Sequence, residues 1–151
     1  FYAAAGALPA WAALATIPYA LIVTAVLMGK HVDKIPQDSV KGIRTLPVIL
    51  GDRLSLHVNQ VLITLFYPIV IGLVLSGTIG VWALLVLLSI PTYLRVMKGL
   101  SQPRPAEPPA NYPVWPLWYV SIAFLMTRSA GATFALGLIL NLIFPYTIKL
   151  F

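Results

Sequence analysis

Residues Lys30 to Arg53 read KHVDKIPQDSVKGIRTLPVILGDR. This stretch holds three of the chain's four carboxylates, Asp33, Asp38 and Asp52, and five of its ten Lys and Arg side chains. Segments long and apolar enough to cross a bilayer lie on both sides of it. Over the 151 residues only 9% are charged and 60% are hydrophobic, and mean hydropathy is +0.91. Soluble domains carry about 25% charged residues. So few charges cannot cover a water-facing surface, and the composition is that of an integral membrane protein. The island is then either a surface loop that fixes topology or a site.

Hydropathy outward from the island gives an all-α membrane bundle of about four spans. Residues 3–29 carry no charge. A crossing takes about 20 helical residues, so the first span is expected over 9–29, kinked at Pro18. The second is expected over 54–75, and Ser76-Gly77-Thr78 reads as a turn. The third is expected over 79–95, ending in Arg95 and Lys98. Six prolines in 101–116 mark an irregular loop. Trp115, Trp118 and Tyr119 then suit an interfacial aromatic belt. Arg128-Ser129-Ala130-Gly131 reads as a break between a short interfacial helix and a fourth span over 129–148. One long helix with Arg128 snorkelling is the other reading.

The basic loops at 30–53 and 95–104 are two crossings apart, with a neutral turn between them. Both are expected in the cytoplasm, which leaves Lys149 outside. Net charge is +6, but the cations lie between apolar runs. That suits orientation in a lipid bilayer and no nucleic-acid partner. With no cysteine in the chain, disulfides and thiolate metal sites are excluded. The chain opens on Phe1 without a Met or a basic leader, which suggests a piece of a longer protein.

Within the island, Asp33 and Asp38 are candidate ligands for Mg²⁺, a hard cation that takes carboxylates together with phosphate oxygens. Lys30, Lys34, Lys41 and Arg44 are candidate partners for a diphosphate. A helix continued past Lys30 puts His31, Lys34 and Asp38 on one stripe. Asp33 lies off that stripe, and the two carboxylates converge only if the chain bends near Pro36. Read from charge alone, these groups are more simply topology-setting loop charges. His31 reads as a surface histidine and Gly42 and Gly51 as turn glycines.

The order Asp38-Ser39-Val40-Lys41-Gly42-Ile43-Arg44-Thr45-Leu46-Pro47-Val48-Ile49-Leu50-Gly51 resembles the second Asp-rich motif of the UbiA superfamily of intramembrane prenyltransferases. The resemblance implies a nine-helix bundle of which this chain supplies the C-terminal half. It also implies Mg²⁺-dependent transfer of a prenyl group from a polyprenyl diphosphate to an aromatic or other acceptor. Asp38, with Asp33, would hold the metal. The family often spaces these carboxylates as Asp-x-x-x-Asp, which would place the first at Lys34, so Asp33 is one residue out of register. The first motif, Asn-x-x-x-Asp-x-x-x-Asp, has no counterpart, so a missing N-terminal half is an expected partner and the chain alone is expected to be inactive. Tyr19, Phe66 and Tyr67 are candidates to line the prenyl lane, although lipid-facing or packing roles suit each better. The competing readings are a transporter or channel segment and a non-catalytic membrane scaffold. Charge gathered at one surface, with few polar groups deep in the spans, favours the enzyme.

Overall fold

The computed structural model describes residues 2–148, so Phe1 and the expectation for Lys149 lie outside the described residues. A short helix α1 (Tyr2–Ala5) precedes α2 (Ala10–Asp33), α3 (Ile35–Val40) and α4 (Leu46–Leu75). A 3-10 helix (Val81–Ser89) runs directly into α5 (Ile90–Leu100), and α6 (Tyr119–Ile143) follows the proline-rich loop. Four stretches are long and apolar enough to cross a membrane: α2, α4, the joined 81–100 segment and α6. The architecture is therefore all-helical, as composition implied.

The four spans close into a ring. α2 packs on α4 and α6, and the 81–100 segment packs on α4 and α6. Phe66 sits at the centre, fully buried, edge-on to Phe134 at 6.0 Å and to Tyr67 at 5.3 Å. Backbones approach most closely at two glycines. A Cβ on Gly29 would lie 2.8 Å from the Tyr119 carbonyl oxygen, and one on Gly137 would lie 2.4 Å from that of Trp82. Small residues at crossings are how membrane helices gain contact where lipid supplies no hydrophobic drive. The buried set includes Asp33, Asp38, Ser55, Asn59 and Ser89, whereas Leu88 and Leu142 are 71% and 84% exposed. Polar groups inside and leucines outside is the distribution a lipid solvent selects.

Span boundaries differ from the hydropathy reading in ways with local causes. α2 runs on to Asp33, past the expected end at residue 29. α4 begins at Leu46 because Thr45 and Pro47 make a helix start, with Pro in the first turn. Gly51 then interrupts it at φ +77°, ψ 167°, a region essentially reserved for glycine, and the expected second span begins beyond that break. Pro91 opens α5, and helix continues through Arg95 and Lys98 to Leu100. The turn at Ser76-Gly77-Thr78 is as expected: Gly77 is left-handed at φ +69°, and the Thr78 amide returns to the Leu73 carbonyl.

The fourth span requires the largest correction. It is one continuous helix from Tyr119 to Ile143, with no break at 128–131. The residues that looked like a break are contacts. Gly131 receives the ring of Tyr19, with a virtual Cβ 3.0 Å from it. Thr127 Oγ1 donates to the Ile22 carbonyl at 3.0 Å and Ser129 Oγ to Thr92 Oγ1 at 3.2 Å. Tyr119, expected at the interface, is 8% exposed and packs in the core.

Candidate functional site

The motif folds as two short helical pieces joined by a defined turn. α2 ends at Asp33, Lys34 interrupts at φ −101°, ψ 0°, and α3 restarts with Pro36 in its first turn. The break lies two residues before Pro36, close to the bend the sequence required. α3 ends at Val40, with Lys41 as its cap in a Schellman closure. Gly42 is left-handed at φ +69°, its amide reaches the Ser39 carbonyl at 3.1 Å, and the Ile43 amide reaches the Asp38 carbonyl at 2.9 Å. The glycine four residues after Asp38 is thus what turns the chain back over the carboxylate-bearing helix.

The stripe His31–Asp38 forms. Asp38 is 5% exposed, and its Oδ2 lies 3.9 Å from His31 Nδ1. This is the one ion pair among the described residues, and it is charged only when the imidazole is protonated. Lys34 is half-buried beside this pair in sequence, while Lys30, Lys41 and Arg44 are exposed. Below His31 lies a groove of about 340 Å³ lined by Thr24, Leu27, Met28, His31, Thr45, Leu46 and Pro47. Its lining is mainly apolar, with His31, Thr24 and Thr45 as the polar members.

Asp33 is used differently from the expectation. Its Oδ1 accepts the Tyr119 amide at 3.0 Å and its Oδ2 the Val120 amide at 2.9 Å. Trp118, at the start of α6, supplies no side-chain cap of its own. Asp33 therefore caps α6 from another helix, with its negative charge at the positive end of the helix dipole. Gly29, one turn earlier, lets the two helices come close enough for this. The structure thus engages both oxygens of a carboxylate that was expected to bind metal. Among the described residues no group of three His, Asp or Glu side chains is placed to hold a metal ion. Asp38 alone fits a Mg²⁺ that takes one protein carboxylate and completes its shell with phosphate oxygens and water. It does not make a protein-built cage.

Phe66 and Tyr67 face the core and not a lane. Tyr67 bonds Ser89 Oγ at 2.7 Å, and Tyr19 covers Gly131. Sequence reasoning passed over a polar cleft on the same end of the bundle. One part, about 410 Å³, includes Asp52, Arg53, His57, Gln60 and Gln102. A neighbouring part of about 390 Å³ shares Asp52, Pro103 and Tyr119 and adds Arg104 and Trp115. The Arg104 guanidinium stands 5.9 Å over the Trp115 ring and donates to the Pro116 carbonyl. The proline-rich composition marked this loop but gave no sign that it folds back on α4.

No family model matches the chain, and no solved structure matches it. Among curated proteins it is similar to the 1,4-dihydroxy-2-naphthoate octaprenyltransferase of Bacillus subtilis (strain 168), at 29% identity over 89 residues. The similarity covers 59% of this chain and 29% of that enzyme, so the chain spans less than a third of the curated relative it matches.

Proposed function

We propose that this chain is the second-motif part of a UbiA-type intramembrane prenyltransferase. It would transfer a prenyl group from a polyprenyl diphosphate to an aromatic or other acceptor. The observation that carries the reading is one juxtaposition. A buried carboxylate, Asp38, lies 3.9 Å from His31, which itself lines an apolar groove, and the cations Lys30, Lys34, Lys41 and Arg44 lie within eight residues of it in sequence. A diphosphate ester of a long hydrocarbon has the same division, with charge at one end and apolar surface behind it. The similarity to a named octaprenyltransferase supports the same class of reaction.

Each residue has a task in this reading. Asp38 would hold Mg²⁺, which when bound neutralises charge on the departing diphosphate. Lys34 and Arg44 would orient the phosphate oxygens, Arg44 in a bidentate manner. Lys30 and Lys41, at the surface, would draw the anion to the site. Leu27, Met28, Leu46 and Pro47 would hold the first prenyl units away from water, where an allylic cation survives long enough to be captured. A site with one free carboxylate calls for a second acidic cluster across the diphosphate, and we assign that to helices outside this chain carrying the first motif. Asp33 we assign to positioning, through α6.

The test is transfer of label from a radiolabelled polyprenyl diphosphate to aromatic acceptors by the full-length protein in nanodiscs, with Mg²⁺ and with chelator. Product that requires Mg²⁺ is expected. Absence of product with every prenyl length and acceptor class tried, from protein that is folded and inserted, would count against the enzyme and for a transporter or scaffold. The reading also places Lys30–Arg53 in the cytoplasm. In sealed inside-out vesicles, a single cysteine at Ser39 should react with an impermeant maleimide and one at Thr78 should not. Reaction of both from one side would reject the orientation.

A further inference from the structure

We propose that the outer flank of α5 and α6 binds the phosphodiester headgroup of an anionic phospholipid. Arg95 and Lys98 on α5 and Arg128 on α6 are exposed, and all three lie within spanning segments. Antiparallel pairing fixes their level. Ser129 bonds Thr92, and Gly99 packs against Ile122. Arg128 and Arg95 therefore lie at similar depth, with Lys98 about one turn nearer the motif end. Arg128 is nine residues into α6, which at 1.5 Å per residue is about 13 Å from the helix start. The helix is longer than the hydrocarbon core of about 30 Å, so the guanidinium starts well inside that core. Its Cα–Cβ bond tilts toward the helix N-terminus, which is the motif end, so the side chain leans toward that headgroup layer.

No carboxylate among the described residues pairs with these cations. Asp33 caps α6, Asp38 meets His31, Asp52 lines the polar cleft, and Glu107 is exposed in the proline-rich loop. Ionisable groups at this depth almost always find a partner, so the anion must come from outside the described residues. Free phosphate does not partition into hydrocarbon, whereas a lipid phosphate is tethered at the right height. Protein-covered membrane faces are rich in small residues. On these segments Leu88, Leu94, Phe124 and Leu125 are instead 71%, 61%, 51% and 48% exposed. Acyl chains can lie along them while the headgroup meets the three cations.

This chain lacks cysteine, so once any cysteine elsewhere in the full-length protein is replaced by serine, one label reports one place. In the full-length protein, a bimane on Leu125→Cys is quenched by brominated phosphatidylglycerol or brominated phosphatidylcholine at equal mole fraction in vesicles. Phosphatidylglycerol should bind at least about fivefold better there, since each basic group near the surface contributes roughly that factor. The preference should fall to about one in Arg95→Gln/Lys98→Gln/Arg128→Gln, fall partway in Arg128→Gln alone, and persist in Arg95→Lys/Arg128→Lys. A label at Leu65→Cys, on α4, should show none. Equal quenching at Leu125 in the wild type, or a preference unchanged by the glutamines, overturns the proposal. So does weak quenching by both lipids, which would mean that another helix covers the flank.

Discussion

Replacing Asp38 by Asn is expected to lower Mg²⁺-dependent prenyl transfer about a thousandfold while leaving insertion and folding unchanged. The size follows from removing a metal carboxylate at a leaving diphosphate. That loss is worth several kcal/mol of transition-state stabilisation, and each 1.4 kcal/mol is about tenfold in rate. The folded state should tolerate the change because α3 is closed by the Asp38 backbone carbonyl, which accepts from Ile43, and not by its side chain. The amide also keeps the shape of the carboxyl in a site that is 5% exposed. What it loses is charge opposite His31, at 3.9 Å. The decisive measurement is kcat/KM across a Mg²⁺ titration alongside thermal unfolding in detergent. Turnover within tenfold of wild type would remove Asp38 from the metal, and with it the motif reading of this segment.

The pairing of Asp38 with His31 was legible because it is local. His31 and Asp38 are seven residues apart, and helical phase survives the interruption at Lys34, so a wheel drawn on sequence alone puts them together. The four spans were legible for a similar reason, since length and the absence of charge are enough to mark a bilayer crossing. Interactions that join distant segments were not legible. Nothing near Asp33 indicates that its partners are amides 86 residues further on. Nothing near Gly131 says that the gap is filled by Tyr19. Both were read as local signals, and both make contacts between α2 and α6. Gly51 was legible only in part. Read as a turn glycine, it has the positive φ of one, yet it interrupts a helix where a loop was expected.

The two aspartates should therefore fail in different ways, and Asp33→Ala supplies the contrast. Its side chain accepts two amides at the start of α6, at 3.0 and 2.9 Å, in a position that is 2% exposed. Truncation leaves both amides without partners and removes a negative charge from the positive end of a 25-residue helix. A hydrogen bond to a charged group contributes about 1.5–3 kcal/mol, and loss of a cap costs about 0.5–2 kcal/mol. These overlap, so a total of about 3 kcal/mol is expected. Asp33→Asn should cost less, because its remaining carbonyl oxygen still accepts one amide. Water cannot easily replace the lost oxygens, since Gly29 brings the α2 backbone against Tyr119. The start of α6 should loosen from α2 in consequence. Hydrogen exchange at Tyr119 and Val120 should accelerate while exchange deep in α4 changes little. In the activity assay Asp33→Asn should retain its dependence on Mg²⁺ concentration with a reduced active fraction, whereas Asp38→Asn should lose that dependence. A stable, fully protected Asp33→Ala with a shifted Mg²⁺ requirement would return Asp33 to the metal, in place of the helix cap assigned to it here.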